Sequence, residues 1–92
     1  MKARKKPVVI DYLPYKGDAE EVELWLNDLG DNFSKWFELI RTEGPDWYDI
    51  LKVNTLEGIS YEVTDDDVII RDVKGEYYPC KKDIFEATYE SI

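Results

Sequence analysis

The chain has 92 residues, with 21 acidic and 12 basic side chains and no histidine, giving a net charge of -9. That length supports one small hydrophobic core. A hydrophobic content of 43% with 14% aromatics excludes a disordered chain, and no apolar run approaches the ~20 residues of a membrane helix. Without histidine there is no imidazole base, no His metal ligand and no Ser-His or Cys-His pair.

The start, Met1 to Lys6, is a basic tail. It carries Lys2, Arg4, Lys5 and Lys6 and no acid. Its following apolar stretch, Val8-Val9-Ile10, is shorter than the roughly 7–15 residues of a signal peptide, so a cytoplasmic protein is expected. The single cysteine, Cys80, fits a reducing compartment. Residues 7–13 read as a strand, β-branched and bounded by Pro7 and Pro14.

Residues 18–29 predict the main helix. Asp18 is a natural N-cap, with Glu21 three residues on in the manner of a capping box. Glu20, Glu21 and Glu23 suit the positive end of the helix dipole. Val22, Trp25, Leu26 and Leu29 form one stripe at i, i+3, i+4 and i+7. Gly30 then suits a left-handed C-cap. Leu24 falls off the stripe. The stretch 31–42 fits either a helix, through Phe33, Trp36, Phe37 and Ile40, or a strand at 36–42 after one helical turn. Glu43-Gly44-Pro45-Asp46 reads as a turn, so a hairpin to a strand at 47–54 is favoured.

The remainder is strand-rich. Residues 59–63 alternate, with Ile59, Tyr61 and Val63 expected inward and Ser60 and Glu62 outward. Asp65-Asp66 supplies a turn. Val68-Ile69-Ile70 does not alternate, so it is expected at the centre of a sheet with both faces covered. Residues 72–75 turn again and 76–80 return. Residues 82–86 predict one helical turn capped by Asp83, and 88–92 a last strand. The expected fold is α+β, one domain over 1–92. An antiparallel sheet of five to seven strands, open or curved to a half-barrel, is covered by the helix at 18–29.

Several segments together resemble a family of small phage and prophage proteins named for a PGDYG motif. They are Met1 to Ile10, Thr55-Leu56-Glu57-Gly58, Ile69-Ile70, Val73 to Lys81, Asp83 to Glu86 and Thr88-Tyr89-Glu90. Asp65-Asp66-Asp67-Val68 stands where that family has Pro-Gly-Asp-Tyr, and Asp72 where it has a glycine. The resemblance implies an accessory protein at work in a bacterial host. It implies no catalytic residue.

No catalytic constellation emerges from the residues. Asp65-Asp66-Asp67 lacks the central glycine of a calcium loop, since the sixth position is Ile70. Cys80 has no histidine to activate it. Gly58 and Gly75 stand alone, without phosphate-loop spacing. No metal and no cofactor are implied. The tail carries +4 and the remaining body -13, which argues against direct binding to nucleic acid. The expectation is therefore a non-enzymatic module that binds a protein of the host or phage, with homodimerisation open. The contact candidates are Glu62, Asp65, Asp66, Asp67, Trp47 and Tyr77, acids of one turn and aromatics of the kind that anchor interfaces. Two rivals accompany this reading: an acidic inhibitor of a host nucleic-acid enzyme, and an enzyme with a carboxylate or metal site.

Overall fold

The structure, a computed structural model, describes residues 1–3, 8–41 and 49–90. The elements run β1 (Asp11–Pro14), α1 (Ala19–Leu29), α2 (Phe33–Trp36), β2 (Phe37–Arg41), β3 (Asp49–Asn54), β4 (Ser60–Val63), β5 (Asp67–Arg71), β6 (Tyr77–Lys81) and α3 (Lys82–Thr88). The fold is α+β and wholly antiparallel, but its strands form two three-stranded sheets, β1-β5-β6 and β2-β3-β4, rather than one sheet.

A proline explains why the sheets stay separate. The Asp72 N–H donates to the Glu76 carbonyl and the Lys82 N–H to the Asp66 carbonyl. Antiparallel alternation then makes 70/78 and 68/80 the hydrogen-bonded pairs of β5 and β6. The odd positions of β6 therefore aim their backbone away from β5, and Pro79 is one of them. It has no N–H to give a further strand. Strand β4 packs beside β6 without joining it. The other edge repeats the device. The Tyr15 N–H donates to the Asp67 carbonyl, which aims the backbone of Pro14 outward from β1. Both edges of this sheet thus carry a proline where a donor would invite another strand.

Helix α1 starts where Asp18 Oδ1 accepts the Glu20 N–H at 3.0 Å. It ends at Gly30, whose φ of 80° is the left-handed conformation that a side chain would strain. Its stripe lies in the main core. Val22 and Leu26 are fully buried, with Trp25 and Leu29 packed at the margin. They meet Phe37, Leu51, Val53 and Val63 from one sheet and Ile69 and Tyr77 from the other. The second face of the β1-β5-β6 sheet is covered by α3. There Val68 and Ile70 pack on Phe85 with Tyr78, Cys80 and Tyr89. The expected burial of Val68-Ile69-Ile70 on both faces is what the strand shows: Ile69 faces the main core, its neighbours face α3.

Other expectations shift. Of the strand expected at 7–13, β1 begins only at Asp11, because Asp11 pairs with Arg71 and the partner chain turns away at Asp72; Pro7 lies outside the described residues. The exposed Val8 and Val9 pair with no strand among the described residues. The ambiguous 31–42 segment is one helical turn capped by Asn32, then a strand, with the expected hairpin to β3. The hairpin turn itself, with Trp47, lies outside the described residues. Val63 reaches the core, but Ile59 and Tyr61 remain 47% and 44% exposed, so the inward face of β4 is covered only at one end. Of the strand expected at 88–92, Thr88 belongs to α3 and Tyr89 and Glu90 to no strand, while residues 91 and 92 lie outside the described residues. Asp83 accepts the N–H of Ile84 instead of capping α3, whose N-cap is Lys81. At 72–75, Asp72 Oδ1 accepts the N–H groups of Lys74 and Glu76 at 2.9 and 3.0 Å. A side-chain acceptor closes the turn there, and Gly75 supplies the positive φ of 82°.

Candidate acidic binding groove

The described contact candidates from the sequence fall in different surroundings. Glu62 lies on the outer face of its sheet, paired across the strands with Lys52. Asp65 and Asp66 are exposed in the β4–β5 turn. Asp67 and Tyr77 are buried, at 3% and 0% exposure, and Trp47 falls among the undescribed residues.

Asp67 is buried because it organises the turn. Its Oδ2 accepts the Thr64 N–H at 2.8 Å and the Thr64 hydroxyl at 3.2 Å, while its own N–H donates to the Thr64 carbonyl. Its Oδ1 pairs with Lys81 Nζ at 3.2 Å. That bond raises the Lys81 ammonium above its ordinary pKa. The Thr64-x-x-Asp67 spacing was a signal in the sequence, hidden within a run of acids that reads as a solvated turn.

Tyr77 is the aromatic hub of the core, with ring centroids 5.5–5.8 Å from those of Trp25, Trp36 and Phe37. Its hydroxyl donates to Asp31 Oδ2, which also accepts from Arg71 Nε at 3.1 Å. Arg71 reaches Asp11 as well, at 3.6 Å. The Tyr77 hydrogen bond, more than the Arg71 charge, holds the Asp31 carboxyl below its ordinary value of 3.8. Burial and the same carboxylate push the Tyr77 phenol up. This cluster ties the end of α1 to the β5–β6 hairpin and keeps the Tyr77 phenol protonated near neutrality. Cys80 is equally quiet. Burial raises its thiol, and Asp67 and Asp83 raise it further, the reverse of what a nucleophile requires.

The Asp31 cluster makes stability depend on pH. A carboxylate with a depressed folded pKa stabilises fully above its unfolded value and loses that contribution as pH falls through the folded one. Asp31→Asn should therefore cost about 1–3 kcal/mol at neutral pH, for a charged hydrogen-bond acceptor with two donors. The cost should shrink at low pH, as pH falls through the lowered folded value and the wild-type carboxyl is protonated as well. Urea unfolding of both proteins at the two pH values checks this, and an equal cost at both would contradict it.

Two open concavities are lined by described residues. One, about 380 Å³, is lined by Leu56, Glu57, Tyr61 and Glu76 and by the β6 edge at Tyr77 to Pro79. The larger, about 550 Å³, lies between the first half of α1 and the inner face of the β2-β3-β4 sheet. Phe37, Leu39 and Arg41 share that inner face with Leu51 and Val53. Phe37 is covered, but Leu39 is 40% exposed because the helix cover stops short of it. Leu24, the residue off the helical stripe, faces the same groove with Phe33. Asp18, Glu20 and Glu23 line it, with Asp49 paired to Arg41 at 3.0 Å. The Tyr15 phenol is raised chiefly by burial, and the charges of Asp49 and Asp18 add to the shift.

Among the described residues no three metal-ligating side chains converge, and no helix is long and apolar enough to cross a membrane. Comparison with family models, with curated proteins and with solved structures gave no match for the chain.

Proposed function

We propose that the protein is a non-catalytic binding module whose acidic groove receives a basic, partly apolar segment of another protein. One observation carries this reading. Asp18, Glu20 and Glu23 line a groove that also exposes Leu24 and Leu39, and the three carboxylates form no ion pair among the described residues. Exposed apolar side chains framed by unneutralised acids suit a ligand with the opposite charge and its own apolar side chains. The resemblance to PGDYG-motif phage proteins supports a partner inside a bacterial host. The high, quiet Cys80 and Tyr77 and the absence of histidine favour binding over catalysis.

The test is charge reversal. Glu20→Lys with Glu23→Lys should fold, because reversing two exposed acids in the first turns of a helix costs only about 0.3–1 kcal/mol each. The variant should lose the partner that the wild type captures from bacterial lysate at low salt, and wild-type recovery should fall as salt rises. Glu62→Lys, on the outer face, should keep the partner. A reversal variant that captures the same partner at the same yield refutes the groove.

A further inference from the structure

The groove borders the edge of β2 that pairs with no strand among the described residues, and that edge differs from the edges of the other sheet. The Thr55 N–H donates to the Ile59 carbonyl, which makes 53/61 and 51/63 the hydrogen-bonded pairs of β3 and β4. Alternation along β3 then assigns 38/52 and 40/50 to the β2–β3 ladder. Glu38 and Ile40 turn their backbone groups inward. Leu39 turns its N–H and carbonyl outward, and neither has a partner among the described residues. No proline stands in β2, whereas Pro14 and Pro79 occupy the outward positions of β1 and β6. Strand β4 has β6 packed beside it, in the other sheet.

We infer that β2 accepts an added strand, and that the groove's occupant is an extended segment of alternating basic and apolar residues from a partner protein. This rests on the acidic-groove reading and states how the ligand is held. Main-chain hydrogen bonds to Leu39 supply affinity. The basic side chains of the added strand fall on the same side as Leu39, where their aliphatic stems cover Leu24 and Leu39 and their charged ends meet Glu20 and Glu23. Charge decides against a second copy of this chain. Pairing β2 with its own twin would bring the Glu20 and Glu23 lips of two acidic proteins together.

The probe is a synthetic eight-residue peptide alternating lysine and valine, titrated by fluorescence anisotropy. Two further peptides carry backbone N-methyl groups on all the lysines or on all the valines. An added strand shows one edge to β2 and the other to water, so one methylated peptide should bind about tenfold more weakly and the other near the parent value. Leu39→Pro removes the outward donor but no donor of the β2–β3 ladder, so the variant should fold and lose about tenfold in affinity. Leu39→Val, which keeps the N–H, should bind like the wild type. Equal binding of all three peptides overturns strand addition, as does failure of the parent peptide to bind. The acidic groove is then judged separately, by the charge-reversal capture. If Leu39→Pro fails to fold, the methylated peptides on the wild-type protein still decide. A wild-type dimer that Leu39→Pro dissolves, seen by sedimentation, overturns the choice of a basic partner.

Discussion

Tyr77→Ala should cost about 3–5 kcal/mol, as truncation of a buried aromatic does. That is a large part of the 5–15 kcal/mol typical of a small domain. The reason is placement. The ring lies between Trp25 of α1, Trp36 of α2 and Phe37 of β2, while its strand belongs to the other sheet. Removing it opens the joint of both sheets with α1 and α2. Tyr77→Phe keeps the ring and removes only the donor to Asp31, so about 1–2 kcal/mol is expected. Urea unfolding of the three proteins separates the two contributions. If the alanine variant unfolded at the wild-type midpoint, the hub assignment would be wrong.

Asp67→Ala is the second large effect, at about 2–3 kcal/mol. It leaves the half-buried Thr64 N–H without its acceptor and opens the turn that delivers the chain into β5. Asp67→Asn keeps an acceptor for Thr64 and loses the charge that faces Lys81, so its loss should be smaller. Lys81→Met should cost less than Asp67→Ala, because the Lys81 side chain is half exposed and its solvated end gains little from the pair. Thermal unfolding of the three variants gives the order. A Lys81→Met loss as large as that of Asp67→Ala would mean that the ion pair, not the Thr64 turn, holds this corner.

Local chemistry made much of the fold readable. Asp18, the 22-25-26-29 stripe and Gly30 specify α1 almost to the residue, because caps and periodicity act within a few residues of themselves. The switch from helical turn to strand at Phe37 was one of two readings, and the hairpin that follows favoured it. What escaped was set by distant partners. Tyr77 and Tyr78 are adjacent and chemically alike, and a strand must send one to each face. Which one meets α1 depends on the register against Arg71 and Ile70. The Asp31–Arg71 pair joins residues 40 apart. Asp67 hid in a run of three acids of which the other two are exposed. The groove was half visible: its acids were read as helix-dipole partners and Leu24 as a residue off the stripe, but its other wall is the inner face of β2.

The β1–β5 pairing has a kinetic consequence. Asp11 meets Arg71 across about 60 residues of chain, whereas β2, β3 and β4 are joined only by consecutive hairpins. Closing so long a loop costs chain entropy before any contact repays it, and sequence-distant pairings slow folding. On a chain emerging from the ribosome, β1 is made first yet waits for β5, while the meander can form at once. The last strand to find its place is then the first one synthesised.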